Sequence, residues 1–179
     1  MQKKAEKVTE RKINIFGSPG SGKTRFAQNL SQVLRIKNIY HLDEYYWKPG
    51  WVKTTLQERL SILEKLQEKE EWIIEGSFFN VADFRIRQTN INIHLSTNRL
   101  ICLSRVIYRY LSNIGRKTIE IAPGCSDKLS IKYLRSIWNY PHEEGKKLLE
   151  KFIYPKYPII LKSEMEISEF LSILREINK

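Results

Sequence analysis

Residues 12–24 read Lys-Ile-Asn-Ile-Phe-Gly-Ser-Pro-Gly-Ser-Gly-Lys-Thr and join two patterns that seldom meet by chance. Residues 12–16 form a short apolar run, which is typical of a strand buried in a sheet. Residues 17–24 match GxxxxGK[ST] at every fixed position. The apolar residues that follow recur at helical spacing: Phe26, Leu30, Val33 and Leu34. The stretch therefore predicts a strand, a glycine-rich loop and a helix in succession.

The glycine-rich loop has the composition that binds phosphate groups. Its glycines let the backbone turn so that successive N–H groups point at phosphate oxygens, and the following helix adds the partial positive charge of its N-terminus. The amine of Lys23 can reach the β- and γ-phosphates, and the hydroxyl of Thr24 can ligate Mg²⁺. The sequence therefore predicts binding of ATP with Mg²⁺, and GTP stays open as an alternative. The predicted nucleotide-binding residues of the loop are Gly17, Ser18, Pro19, Gly20, Ser21, Gly22, Lys23 and Thr24.

Short apolar runs alternate with helical periodicity along the rest of the chain. After the first strand we predict strands at 39–42, 72–74, 91–95 and 157–161. We predict helices at 23–36, 56–66, 98–111, 129–139, 143–153 and 166–177. This alternation predicts an α/β fold of three layers, with a mostly parallel five-stranded sheet between helices. Residues 112–128 lack periodicity and contain Gly115, Pro123 and Gly124, so we predict a lid-like loop there.

The chain has 179 residues and a net charge of +11, and we expect one domain over 1–179. No apolar run approaches the roughly 20 residues that span a bilayer, and residues 1–12 lack the apolar segment of a signal peptide. We therefore expect a cytoplasmic protein with no membrane partner. Cys102 and Cys125 have no CxxC spacing and are expected to be reduced thiols. The positive charge fits nucleic-acid binding, an anionic small substrate or a solvated basic surface.

Two carboxylates follow predicted strands at the edge where a parallel sheet binds ligands. Asp43 follows the second strand, where it can act as general base or position an acceptor hydroxyl; the alternative is an aspartate that caps a turn. Glu75 ends the third strand, and a buried carboxylate needs a metal or cation partner. We predict that Glu75 contributes to the Mg²⁺ site, the alternative being a structural salt bridge.

Cations and aromatic residues complete the candidate site. Arg105 and Arg109 lie four residues apart, and therefore on one helix face, where they can stabilise a transferring phosphoryl group; the alternative is a pair of solvated arginines. Trp47 and Trp51 follow Asp43 and can either stack on an acceptor or cover the sheet edge. The strand histidines His41 and His94 are expected to be packed or hydrogen-bonded.

The loop at 17–24 resembles that of adenylate kinase and related small-molecule kinases. Residues 72–76, Trp-Ile-Ile-Glu-Gly, resemble the third-strand motif of that family, whose acid handles Mg²⁺ through water. Residues 95–109 resemble the strand and helix that lead to its mobile lid. The resemblance implies that Arg105 and Arg109 clamp the phosphates, since the family carries two such arginines four residues apart.

A closer resemblance is to a bacterial group of DNA topology-modulation proteins, which are related to adenylate kinase. The matching segments run through most of the chain: 41–43, 47–51, 72–76, 102–105, 124–129 and 137–141. Departures from the two groups include Glu75 in place of Asp and Ser96 in place of an Asp that usually ends the fourth strand. The Phe-Pro-Arg that grips AMP in adenylate kinase is replaced by residues 77–79, Ser-Phe-Phe, so Arg85 is the candidate substitute.

These observations favour an ATP-dependent phosphotransferase. Lys23, Asp43, Arg105 and Arg109 are the predicted catalytic residues, and Thr24 and Glu75 the predicted metal ligands. The predicted acceptor is a small molecule, met by Asp43, Trp47, Trp51 and Arg85. The alternative is an ATP-binding regulatory protein that associates with DNA and alters its topology, although no known nucleic-acid-binding module is recognisable. The residues leave the acceptor and the oligomeric state open.

Overall fold

The computed structural model describes residues 11–114, 122, 124–125, 129–141 and 158–178. The strands are β1 Arg11–Gly17, β2 Ile39–His41, β3 Trp47–Lys48, β4 Val52–Lys53, β5 Glu71–Glu75, β6 Ile91–Leu95 and β7 Ile159–Leu161. The helices are α1 Lys23–Leu34, α2 Leu42–Tyr46, α3 Leu56–Gln67, α4 Ala82–Arg87, α5 Arg99–Ser112, α6 Ile131–Trp138 and α7 Glu164–Ile177. Short 3₁₀ turns lie at Pro49–Trp51 and Phe79–Val81.

Five strands form one parallel sheet in the order β2-β5-β1-β6-β7. β1 is the central strand, and its residues 13–17 are buried, with Ile15 lying between Glu75 of β5 and Ile93 of β6. Strands buried on both faces are expected in parallel sheets. The five-stranded parallel sheet predicted from the sequence is confirmed.

Helices cover both faces of this sheet. Successive residues of a strand point to opposite faces, and β5 shows this directly. Ile73 packs into a core with α1 and α7, whereas Trp72 and Ile74 pack into a second core with α2 and α3. The two cores lie on opposite sides of β5, which gives the three layers that the sequence predicted.

Several helix boundaries follow from capping side chains. Thr55 and Glu58 form a reciprocal capping box that starts α3. Ser163 accepts a hydrogen bond from the backbone N–H of Glu166, so that α7 begins at Glu164, two residues before the predicted start at 166. The predicted helix 143–153 lies outside the described residues, as does most of the predicted lid at 112–128.

Three elements after β2 and β5 were not predicted from the sequence. They are α2, the antiparallel hairpin of β3 and β4, and α4. Each is only two to six residues long, which is too short for periodicity to reveal. These elements matter because α2 carries Asp43 and the hairpin contacts it through Trp47. In the described part of the chain, no helix has both the length and the apolar character needed to cross a membrane.

Candidate nucleotide and acceptor site

The loop from Gly17 to Thr24 connects the central strand β1 to α1. Gly20 and Gly22 have φ of 81° and 91°, in the left-handed region that glycine occupies at low cost. Gly20 is also held against α5, since a Cβ there would overlap the backbone carbonyl of Cys102. The hydroxyl of Thr97 donates to the carbonyl of Ser21 at 3.3 Å. The loop is thus shaped by contacts within the protein before any phosphate binds.

Lys23 lies at the start of α1 with only 8% of its surface exposed. Its Nζ donates to the carbonyl oxygen of Ser18 across the loop at 3.0 Å. The backbone N–H of Ser21 donates to the same carbonyl, also at 3.0 Å. This arrangement keeps the ammonium group inside the curve of the loop, where a phosphate would meet it.

Thr24, Glu75 and His41 form a hydrogen-bonded cluster below the loop. The Thr24 hydroxyl donates to Glu75 Oε1 at 3.0 Å, and Nδ1 of His41 lies 2.9 Å from the same oxygen. Glu75 is 4% exposed, and its other oxygen, Oε2, is buried and has no hydrogen-bond partner among the described residues. Three chain segments, α1, β2 and β5, therefore converge on one carboxylate.

The surroundings of Glu75 keep it charged. Burial by itself would raise the pKa of this carboxyl group. The hydrogen bond from His41, the charges of Lys23 and His41, and the hydrogen bond from Thr24 together outweigh burial and lower the pKa below its usual range. A buried, ionised carboxylate with one unsatisfied oxygen is costly, and a cation beside it would remove that cost.

Asp43 lies in the first turn of α2, two residues after β2 ends, and as a whole residue it is exposed. Oδ1 of Asp43 accepts a hydrogen bond from Nε1 of Trp47 at 3.3 Å. Removal of the carboxyl group from part of its surrounding water raises its pKa, and the negative charge of Glu75 adds to this effect. The charges of Lys23 and Arg109 and the bond from Trp47 act in the opposite direction. Asp43 and Glu75 thus lie within electrostatic reach of each other and of Lys23, and the region between these three side chains is called the cleft.

The hairpin 47–53 lies beside the cleft, where Trp47 contacts Asp43. The rings of Trp47 and Trp51 meet edge to face with their centroids 5.4 Å apart. Gly50 donates from its N–H to the carbonyl of Gly124 at 3.1 Å, and Cys125 Sγ lies 3.3 Å from the carbonyl of Lys48. The described part of the predicted lid thus contacts this hairpin, an association that no sequence pattern indicated.

Arg105 lies on the other side of the loop. Its Nη2 pairs with Oε1 of Glu164 at 2.6 Å, and its Nη1 would lie 3.7 Å from a Cβ placed on Gly22. A cavity of about 600 Å³ opens beside the loop at this point. Its polar lining includes Ser21, Gly22, Arg25, Arg105, Glu164 and Arg175. The cavity has the position and volume to take the part of a nucleotide that extends away from its phosphates.

The two remaining predicted arginines have different environments. Arg109 lowers the pKa of Asp43 through its charge, and its Nε is buried with no hydrogen-bond partner in the described part of the chain. Arg85 is completely buried and stacks on Phe16 with its guanidinium carbon 4.3 Å from the ring centroid. Its three nitrogens donate to Asn14 Oδ1 and to the carbonyls of Gly76 and Ile74. Burial lowers the pKa of Arg85 to about 10. Arg109 faces the cleft, whereas Arg85 supports the end of β5 from beneath.

The donor set fits a cation that arrives with a nucleotide. Among the described residues, no group of three or more His, Cys, Asp or Glu side chains is arranged to hold a metal ion. Thr24 directs its only hydrogen at Glu75 Oε1, which leaves hydroxyl lone pairs for a metal. The buried Oε2 of Glu75 supplies a hard oxygen of the type that Mg²⁺ prefers. Phosphate oxygens and water would complete the coordination.

No described protein family and no curated protein matches the sequence. The fold matches solved kinase structures. A candidate kinase from Chloroflexus aurantiacus is 16% identical with a TM-score of 0.59, and covers 94% of this chain and 98% of its own. Shikimate kinase from Acinetobacter baumannii, solved with shikimate, is 17% identical with a TM-score of 0.58, covering 95% and 94%. A gluconokinase from Sinorhizobium meliloti is 12% identical with a TM-score of 0.55, covering 95% and 94%.

At these identities the likeness concerns the fold alone. The chain has the three-layer α/β/α fold of P-loop kinases. Its structural neighbours include kinases of small molecules such as shikimate and gluconate. The resemblance to DNA topology-modulation proteins rests on sequence motifs and stays a prediction.

Proposed function

We propose that this chain is an ATP-dependent phosphotransferase that moves the γ-phosphoryl group of Mg-ATP to a small hydroxyl-bearing acceptor. The observation that carries the proposal is a pair of carboxylates at or just after the ends of the neighbouring strands β2 and β5. Glu75 accepts a hydrogen bond from Thr24 of the phosphate loop, and Asp43 lies within electrostatic reach of both Glu75 and Lys23. This geometry separates a metal-binding acid from an acid that can meet the acceptor.

Each group has a distinct part in this proposal. The loop amides and Lys23 hold the β- and γ-phosphates, and Arg105 and Arg109 neutralise charge on the transferring group. Bound Mg²⁺ would be held by Thr24 and Glu75 and would offset the negative charge of the phosphate oxygens. The base and ribose of ATP lie in the cavity beside Arg105. In this arrangement the γ-phosphate would lie between Lys23 and Asp43.

Asp43 serves the transfer step at the acceptor. The acceptor oxygen forms a bond to the γ-phosphorus while the bond from that phosphorus to the β–γ bridging oxygen breaks. The hydroxyl proton passes to the carboxylate of Asp43, and ADP leaves with the bridging oxygen. Trp47 and Trp51 supply an apolar wall for the acceptor. We assign Arg85 to the support of β1 and β5, because its nitrogens are occupied by protein acceptors on these strands and directly after β5.

A coupled assay of ADP formation tests the proposal. Mg-ATP is supplied alone and with a panel of nucleosides, nucleoside monophosphates, sugars, sugar acids and cyclic polyols. We expect one acceptor class to raise the rate of ADP formation well above the rate of ATP hydrolysis. We expect Asp43→Asn to lower that rate by about 100-fold while ATP still binds, and Asp83→Asn, an exposed aspartate of α4, to leave it unchanged.

The alternative function, an ATP-binding protein that acts on DNA or on a protein partner, has a separate test. A rate of ADP formation that no acceptor changes would contradict the kinase proposal and favour an ATP-binding protein that acts on DNA or on a protein partner. A DNA role predicts binding that weakens steeply as salt is raised, because phosphate contacts release counterions. Filter binding of duplex DNA at several salt concentrations, with and without ATP, would measure it.

A further inference from the structure

His41 ends β2 at a fixed position beside Glu75. The two residues are register partners in the parallel pair of β2 and β5, so the sheet itself sets their side chains next to each other. Nδ1 of His41 lies 2.9 Å from Glu75 Oε1. The His41 side chain is 23% exposed and that of Glu75 is 5% exposed. The contact is therefore partly buried, and hydrogen-bonded strands hold it in place.

The partner determines which ring nitrogen of His41 carries a hydrogen. A glutamate is ordinarily ionised at neutral pH, and an ionised carboxylate can only accept hydrogen bonds. Nδ1 of His41 must then be the donor, whatever the state of the other ring nitrogen. Two donors, His41 and Thr24, consequently meet at the single oxygen Oε1.

This convergence leaves the second carboxylate oxygen for another use. Oε2 of Glu75 is buried and has no hydrogen-bond partner among the described residues. A carboxylate pinned through one oxygen by two donors from different segments cannot rotate without breaking both bonds. The other oxygen, Oε2, therefore points in a fixed direction relative to the hydroxyl of Thr24.

The geometry points to His41 as the positioning residue of the metal site: it holds the Glu75 carboxylate so that Oε2 faces the Mg²⁺ of bound Mg-ATP. This inference rests on the proposed function, since it requires that Thr24 and Glu75 hold the metal. Partners of metal-binding side chains orient those ligands in many proteins. Here a histidine imposes the orientation on a glutamate, which is one methylene longer than the aspartate that the sequence motifs favour and so has an additional torsion to fix.

Calorimetry of ATP binding separates this role from a general structural one. Each protein is titrated with ATP in excess Mg²⁺ and again in EDTA, and the ratio of the two affinities isolates the metal's contribution. We expect His41→Ala to lower the affinity for Mg-ATP by about 10- to 100-fold and to change the affinity for metal-free ATP by less than about twofold. His94→Ala, in the strand histidine of β6, serves as the matched control and is expected to keep the wild-type ratio.

Two further variants test the hydrogen bond itself. The side-chain amide of His41→Asn can place a donor near the position of Nδ1, whereas that of His41→Gln extends beyond it. We expect the asparagine variant to recover most of the Mg²⁺-dependent affinity and the glutamine variant to recover little. This pair also decides the question if His41→Ala does not fold, which thermal melting followed by circular dichroism would reveal.

The outcomes are distinguishable. Equal losses with and without Mg²⁺, or no loss in a folded His41→Ala protein, would overturn the role of His41 and leave the kinase proposal standing. An asparagine variant no better than the glutamine variant would overturn the assignment of Nδ1 as the donor on which the role depends. If the wild-type chain binds ATP equally well with Mg²⁺ and with EDTA, the metal site fails, and this inference fails with it.

Discussion

The proposed nucleotide and acceptor walls of the cleft are built in different ways. On the nucleotide side, Ser21, Lys23 and Glu75 are at most 8% exposed. Ser21 and Lys23 donate to the carbonyl of Ser18, and Glu75 is hydrogen-bonded to the side chains of Thr24 and His41. On the acceptor side, the hairpin tip at Lys48, Pro49 and Gly50 is exposed. The nucleotide wall is part of the core, whereas the acceptor wall is a surface hairpin beside it.

The contrast indicates where this fold can vary. A side chain in the nucleotide wall is fixed by several neighbours, so a substitution there disturbs packing and chemistry together. A substitution in the exposed hairpin changes what the cleft accepts with little effect on the core. The structure therefore predicts large, acceptor-independent effects from the first wall and smaller, acceptor-specific effects from the second.

Lys23→Ala should have the largest effect. The buried ammonium group is the cation placed inside the curve of the loop, and removing a preorganised group of this kind costs about 100- to 1000-fold in rate. We expect kcat/KM for ADP formation to fall by that factor while the circular dichroism spectrum is retained. Lys69→Ala, an exposed lysine in the turn before β5, is the control. Retained activity in Lys23→Ala would contradict the assignment of the nucleotide wall.

Substitution of Gly20 or Gly50 by alanine compares the two walls directly. Gly20 and Gly50 have similar φ, 81° and 76°, but a Cβ on Gly20 would overlap the backbone of Cys102, while a Cβ on Gly50 meets no atom within 4 Å. We expect Gly50→Ala to lower the free energy of unfolding by about 1 kcal/mol, from backbone strain alone. We expect Gly20→Ala to lower it by about 2–4 kcal/mol and to weaken ATP binding. Urea denaturation measures both, and equal losses would contradict the comparison.

Trp51→Ala should have a smaller effect that is confined to the acceptor. An aromatic pair contributes about 0.5–1.5 kcal/mol, so we expect KM for the acceptor to rise by about 2- to 10-fold. The affinity for Mg-ATP should not change. Trp138→Ala, a half-exposed tryptophan on α6, controls for the general loss of an aromatic ring. If ATP affinity and acceptor KM changed together in Trp51→Ala, the two walls would not be independent.

The pH dependence should show the smallest effect. The pKa of Asp43 is raised from an ordinary 3.8, and a general base works only when ionised. The acid limb of the pH profile of kcat/KM is therefore expected above pH 3.8. Activity is lost as the pH falls through the raised pKa of Asp43. Arg109 lowers this pKa through its charge, so Arg109→Gln should move the acid limb to higher pH by a fraction of a unit. A limb that moves to lower pH would contradict the placement of Arg109 beside Asp43.

Sequence reasoning anticipated the nucleotide wall better than the acceptor wall. The phosphate loop and the alternation of strands with helices depend on local patterns, and these predicted the fold. His41 was expected to be packed or hydrogen-bonded, and it does bond to Glu75, but a single sequence does not show which residue lies beside it in the sheet. The hairpin of β3 and β4 was missed because two-residue strands have no measurable periodicity.

Local chemistry in the chain was enough to determine the glycine-rich turn, the strand before it, the helix after it and the expectation of a parallel sheet. Each of these depends on residues within a few positions of one another, through backbone geometry and apolar spacing. The convergence of Thr24, His41 and Glu75 on one oxygen arises from strand register, which joins residues far apart in the chain. The burial of Arg85 beneath β5 and the contact of Gly50 with Gly124 likewise arise only when separate segments pack together.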